Sequence, residues 1–385
     1  MVSFGRVVAP LREHFSALAL GDRWFAWRDR IYADPGFQRG AASFWPTRFI
    51  ARRRARDLFD ICAGFVYSQV LAACVELGIF DLLLEKPLDL QSLARHGALS
   101  TEATTRLVEA AVSLRLLEKR SNGKYGLGPL GASVAQNPGL ARMIAHHRHL
   151  YADLIDPVSL LRRSGQSTEL GKYWPYAAAA RPSDLSSEDV ASYSALMTAS
   201  QPIVADEVLD AYPLNSFRCL LDVGGGEGAF LAEVSRRFPK LELMLFDLPA
   251  VAERARAELS TRGLSRCCQI FGGDFFSDAL PKGADVISLI RIALDHDDKK
   301  VLTLLRAARA ALSEGGVVLI AEPLPCVGHA PIASAYFGFY LMAMGRGRVR
   351  SREKFTAILT QAGFKDVHFH QGRRLLQTGV ITASA

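Results

Sequence analysis

LDVGGGEGAF, Leu221 to Phe230, decides how the second half of the chain is read. An apolar run starting at Cys219 stops at Gly224, Gly226 and Gly228, and a helical pattern, FLAEVSRRF, follows. That is a strand whose carboxyl end turns sharply into a helix. Glycine suits such a turn because it takes backbone angles that other residues avoid, and it lets a ligand approach with no Cβ in the way. The spacing G-x-G-x-G differs from the dinucleotide fingerprint G-x-G-x-x-G, and no Lys-Ser/Thr pair of a P-loop follows. The loop alone names no ligand.

Its surroundings say more. LELMLFD, ADVISLI and GGVVLIAE are further apolar runs, separated by helical patterns such as VAERARAEL and KKVLTLLRAARAAL. Strands alternating with helices predict an α/β domain, a parallel, doubly wound sheet covered on both faces, from about residue 205 to residue 385. The second run ends at Asp247, 25 residues after Asp222. An acid at that strand tip is placed to hold a ribose diol. A third loop, FGGDFF, brings Asp274 and Phe275, suited to the edge and face of an adenine. A nucleoside-like ligand fits, with little demand for phosphate contacts.

Upstream, residues 56–81 carry apolar side chains at helical spacing as far as Gly78. A short helix, a turn, a helix from Ser100 or Thr101 and a hairpin at Ser121-Asn122-Gly123 then make a winged-helix pattern. The presumed recognition helix, TEATTRLVEAAVSL, has one Arg and two Glu, which suits DNA poorly. A packing and dimerisation module over residues 56–204, after an arm of residues 1–55, is the better reading.

The composition allows this. With 385 residues, 49% hydrophobic and 22% charged, there is core for two domains. The net charge of +7 gathers at TRFIARRRARD and at GRGRVRSR, Arg346 to Arg352, which are either solvated faces or contacts for nucleic acid, anionic lipid or phosphate. Six cysteines without CxxC spacing, in mostly apolar surroundings, read as reduced core thiols. No signal-peptide core and no uninterrupted apolar run of about 18 residues is seen. The nearest is Ala333 to Gly345. A cytoplasmic protein is expected, peripheral at most on a membrane.

LDVGGGEGAF, LFDLP, GGDFF, a strand end comparable with LHDWDD, and the tail EKFTAILTQAGF together resemble the S-adenosylmethionine-dependent O-methyltransferase family. The resemblance implies a Rossmann-like class I methyltransferase domain behind a mostly helical winged-helix dimerisation domain, a homodimer, and S-adenosylmethionine converted to S-adenosylhomocysteine. Carried over, Gly224, Gly226, Asp247, Leu248, Asp274, Phe275 and Arg291 line the donor site, beside Asp222 and Gly228 of the loop. FAWRDRIYADPGFQRGAASFWPTRFIARRRARDLFD and MIAHHRHLYADLIDPVSLLR are similar to carotenoid hydroxyl methyltransferases of phototrophic bacteria. That implies a hydrophobic acceptor, a 1-hydroxy acyclic carotenoid. The alternatives are bacteriochlorophyllide ring-carbon methylation and a winged-helix DNA-binding regulator.

The family's base is a histidine directly before Asp, and LDHDD puts Leu294 there, with Val349 where a glutamate is usual. Three expectations stand. His296 acts as the base, sharing a strand face with position 294; His146 or His147 does; or positioning suffices. Asp297 or Asp298 reads as a helix cap, and with no second histidine at i+4 no metal is expected. SAYFGFYLMAMG places Tyr336 and Tyr340 on a helix suited to an apolar tunnel, with His146 and His147 as further substrate contacts. The arginines near Arg52, next to Phe44, Trp45 and Phe49, suit anionic lipid.

Overall fold

The computed structural model describes residues 20–162, 167–174, 187–324, 330–370 and 378–385. It divides into two compact units, up to Ala73 and from Cys74 on.

In the first unit Pro35 occupies the first turn of helix Pro35–Ser43, and the Asp34 carboxylate caps it by accepting from the Phe37 N–H. Helix Arg48–Glu76 carries the first arginine cluster and continues through residue 55. No described side chain of this unit is buried. Trp24, Trp27, Phe44, Trp45 and Phe49 are all more than half exposed. Arginines stack on neighbouring rings: Arg28 lies 4.8 Å from the Phe25 ring centroid and Arg54 4.5 Å from that of Tyr32. Arg48–Glu76 is long and apolar enough to cross a membrane by length and composition, which counting uninterrupted runs overlooked because isolated polar residues break them.

The second unit begins with the wing. Ser100 caps helix Thr101–Ser113 by accepting from the Ala103 N–H. Strands β1 (Leu88–Asp89), β2 (Leu117–Lys119) and β3 (Lys124–Leu127) form an antiparallel sheet in the order β1-β3-β2. Asn122 and Gly123 turn the hairpin at positive φ, as the sequence suggested. On the presumed recognition helix the single arginine, Arg106, pairs with Glu102.

The larger sheet contains β4 (Cys219–Val223), β5 (Glu242–Asp247), β6 (Cys268–Gly272), β7 (Val286–Ile290), β8 (Val317–Pro323), β9 (Lys365–His370) and β10 (Thr378–Ser384). Their order is β6-β5-β4-β7-β8-β10-β9. Alternation assigns each strand's side chains to two cores. Leu221, Val223, Ile287, Leu289, Val318 and Ile320 face helices Asp298–Ala311 and Arg352–Ala362. Leu220, Val286, Ile290, Leu319 and Ala321 face the opposite way, towards Val208, Phe230 and Leu259.

The sheet is mixed, not wholly parallel. β10 runs antiparallel to both β8 and β9. A buried strand in either direction has the same apolar texture, so the sequence pattern could not separate the two. The cysteines also differ from expectation. Cys74, Cys219 and Cys268 are buried, but Cys62 and Cys267 are exposed thiols, and Cys326 lies outside the described residues. The second arginine cluster is split, with Arg350 buried at 2% exposure and Arg348 exposed.

Candidate active site

β4 pairs with β5 on one side and β7 on the other, so the chain reverses its winding direction at β4. Ligands of open α/β sheets bind at that point, beyond the strands' carboxyl ends. A cavity of about 550 Å³ opens there.

The glycine turn forms one wall. Gly224 has φ +72°, and a Cβ there would lie 2.4 Å from Ile292 Cδ1. Its N–H donates to the Phe246 carbonyl at 2.8 Å. Gly226, at φ +59°, meets nothing within 4 Å, so the space above it belongs to the cavity. Asp247 at the tip of β5 accepts from the Gly226 N–H at 2.8 Å and the Leu248 N–H at 2.7 Å. Burial raises its carboxyl to about 6 against those two donors. Leu248, Asp274 and Phe275 continue the wall, and the Asp274 carboxylate accepts from the Phe276 N–H at 2.9 Å.

Arg291, at the end of β7, holds a left-handed φ of +60°. A side chain other than glycine stays there only when its surroundings fix it. Its guanidinium donates to Ser200 Oγ at 2.9 Å, to the Met197 carbonyl and to Gln201. That ties the strand end to helix Ser187–Ala211.

LDHDD sits at the cavity's edge. Asp297 is the cap of helix Asp298–Ala311, accepting from the Lys300 N–H at 2.9 Å. Asp298 pairs with Arg350 at 2.9 Å and with Lys354 at 3.0 Å. Arg350 also donates to the carbonyls of Ala293 and His296, which pins the segment. The His296 ring stands edge-on to Phe276, centroids 4.9 Å apart. Burial, then Arg346 and Lys300, pull its pKa down to about 3, so the imidazole is neutral. Leu294 turns away into a cluster with Leu150, Trp174 and Tyr340. Asp295 faces the cavity, and burial lifts it to about 7 although Arg346 and Arg291 act the other way. Behind it the Glu322 carboxylate accepts from the Ala293 N–H at 2.6 Å and the Leu294 N–H at 3.2 Å. Burial, helped by the charge of Asp295, raises Glu322 to about 8.

Residues 162–365 match the O-methyltransferase domain family, and residues 59–137 match the O-methyltransferase dimerisation domain. The chain belongs to the O-methyltransferase family. Among its relatives is the demethylspheroidene O-methyltransferase of Cereibacter sphaeroides, 44% identical over 87% of this chain and 88% of the relative. The enzyme of that name from Rhodobacter capsulatus is 40% identical over 87% and 83%. Human N-acetylserotonin methyltransferase, solved in complex with SAM, superposes with a TM-score of 0.71 at 27% identity, covering 86% of this chain and 97% of that one.

In this O-methyltransferase the structure brings Gly224, Gly226, Asp247, Leu248, Asp274, Phe275, Arg291 and His296 to one cavity. Asp222 lies one layer behind, accepting from the Ser288 hydroxyl at 2.6 Å, and burial raises it to about 7. Gly228 starts helix Ala229–Arg237 at φ +81°, where a Cβ would meet Leu259 at 2.8 Å. The four expected substrate residues form their own cluster. His146 Nε2 lies 3.0 Å from the Tyr340 hydroxyl, and His147 pairs with that of Tyr336. Trp174, on the cavity wall, links this cluster to the site by donating to Tyr340 at 3.0 Å. Sequence reasoning missed Asp295, Glu322 and Arg346. An acid ending the apolar run GGVVLIAE was a signal for Glu322, because a carboxylate there must enter a buried sheet edge. Asp295 gave no signal apart from its neighbours.

Proposed function

We propose that this O-methyltransferase moves a methyl group from S-adenosylmethionine to the 1-hydroxyl of an acyclic carotenoid of the demethylspheroidene or hydroxyneurosporene type, releasing S-adenosylhomocysteine. The observation that carries this reading is the 44% identity, over 87% of the chain, to a demethylspheroidene O-methyltransferase. The cavity fits the donor: an open glycine turn, a strand-tip carboxylate for a ribose diol, and an acid and an aromatic for adenine. When bound, S-adenosylmethionine supplies a methyl group already activated on a sulfonium.

The chain's own residues do the rest. Asp247 holds the diol, Asp274 and Phe275 take the edge and face of the base, and Gly224 and Gly226 leave the approach clear. Trp174, Met197 and Met344 give the acceptor an apolar wall, backed by the Tyr340–His146 and Tyr336–His147 pairs. Holding acceptor and donor in line supplies on the order of 7–11 kcal/mol of the barrier. The test is transfer of labelled methyl to 1-hydroxyneurosporene. A labelled methyl ether is expected. Label appearing only in a bacteriochlorophyllide overturns the carotenoid reading, and no observation at present favours that outcome or a DNA-binding role.

The arm (residues 1–55), the helical module (56–204) and the catalytic domain (205–385) complete the proposal. In the first, exposed tryptophans and phenylalanines interleaved with arginines suit the anionic surface that holds a carotenoid, on the cytoplasmic side of the membrane. Sedimentation with anionic vesicles at low salt, lost at high salt, is the expected result. A protein that stays in the supernatant removes the membrane from the proposal. The dimerisation-domain match supports a homodimer, and a second copy would cover the apolar helix Arg48–Glu76, only 6% buried over its most apolar window. Light scattering should return twice the mass of one chain.

A further inference from the structure

We propose that Asp295 accepts the hydroxyl proton of the acceptor during methyl transfer. The proposal rests on the O-methyltransferase reading above and adds the group that performs the proton step.

Four acids line the cavity: Glu227, Asp247, Asp274 and Asp295. Three of them are engaged. Glu227 takes the Thr198 hydroxyl and the Arg254 guanidinium. Asp247 takes two backbone N–H groups, and Asp274 takes that of Phe276. Among the described residues, nothing donates a hydrogen bond to the Asp295 carboxylate, so its lone pairs are open to a ligand hydroxyl. Its backbone is held firmly all the same. Glu322 accepts from the two preceding N–H groups, and Arg350 binds the carbonyls of Ala293 and His296 on either side. A rigid turn carrying an unengaged carboxylate into a reaction cavity is the geometry a proton acceptor needs.

His296 is the rival, and its surroundings disfavour it. Burial first, then Arg346, Lys300 and Arg350, act against a second proton on that ring. Asp295 is faced by Arg291 from the end of β7, Arg346 from the segment after helix Ala330–Met344, Tyr340 from that helix and Glu322 from β8. Burial outweighs the two arginines and lifts its pKa to about 7. The carboxylate is thereby at least as basic as a free imidazole, at about 6.5. In the step, the hydroxyl oxygen bonds to the methyl carbon as the carbon–sulfur bond breaks. That bond's electron pair stays on sulfur, and the proton passes to Asp295, then to water as the products leave.

Two measurements test this. Infrared difference spectra of wild type minus Asp295→Asn, taken without donor, should show one protonated carboxyl titrating near pH 7. A midpoint below about 5, the ordinary carboxylate range, overturns the proposal whatever the substrate. With donor and 1-hydroxyneurosporene, Asp295→Asn should keep donor affinity by calorimetry, lose at least about a hundredfold in kcat, and lose the rise of kcat through pH 7. Asp295→Glu and His296→Ala should both keep that rise. Loss of the rise in His296→Ala, or its survival in Asp295→Asn, assigns the proton elsewhere and overturns the proposal. If Asn unsettles the fold, Asp295→Glu replaces it in the spectra, where its shifted band gives the same midpoint. If wild type methylates nothing, the carotenoid reading fails while the infrared titration still judges Asp295.

Discussion

Substitutions at two positions separate geometry from charge at the residue scale. Gly224→Ala puts a methyl 2.4 Å from Ile292 at a φ of +72°. The turn must move, and donor affinity measured by calorimetry should fall at least about tenfold, equivalent to about 1.4 kcal/mol. Unchanged affinity would mean that the glycine turn is not the donor's cradle. Glu322 offers a cleaner contrast. With its pKa at about 8 it is largely neutral at pH 7, and its oxygen serves two backbone donors. Glu322→Gln keeps an acceptor and should cost little. Glu322→Ala strands two buried N–H groups and should lower stability by about 1–3 kcal/mol for each, read by urea melts. Equal losses in both variants would show that the charge, not the acceptor, is what matters.

At the scale of elements, the loops beyond the sheet are held by neighbours distant in sequence. Arg350 follows helix Ala330–Met344, yet it fastens the turn at Ala293–His296 and pairs with Asp298 at the start of the next helix. Without Arg350, Asp298 keeps Lys354, but the carbonyls of Ala293 and His296 lose their donor. Arg350→Met is therefore expected to cost about 1–3 kcal/mol for each of those acceptors and to loosen the segment that carries Asp295. Hydrogen exchange should quicken at residues 293–298 before it does in β4 or β7. Uniform quickening across the sheet would sink the idea that Arg350 acts locally.

For the whole molecule, four carboxyls with raised pKa set a pH dependence, Asp222 and Glu322 in the core and Asp247 and Asp295 on the cavity wall. Asp222 and Asp295 lie at about 7, Asp247 at about 6 and Glu322 at about 8, all above their unfolded values of about 4. The folded chain keeps these protons where the unfolded chain has lost them, so their contribution is full below about pH 4 and is lost progressively as pH rises from there to the folded values of 6–8. His146 at about 4 and His296 at about 3 work the other way, and their contribution is complete once pH exceeds about 6.5, the free imidazole value. The four carboxyls outweigh the two histidines, so Tm of the donor-free protein should fall from about pH 5 to about pH 8, with nothing opposing the fall above pH 6.5. A Tm that is flat or rising over pH 6.5–8.5 would contradict these burials.

Local chemistry was legible in the sequence. Three glycines after an apolar run, an acid at the next strand tip, a Ser cap at position 100 and an Asn-Gly hairpin each answer to near neighbours along the chain. Backbone angles and side-chain alternation act over a few residues, so motif, wing and sheet could be read in order. Other features depend on which distant segment arrives alongside. Only the fold made Arg350 a buried fastener instead of one more surface arginine, and set β10 antiparallel. It also turned Leu294 away and left Asp295 facing the cavity. Burial and charge at a point are sums over neighbours from many places in the chain, and these sums are what a linear string does not contain.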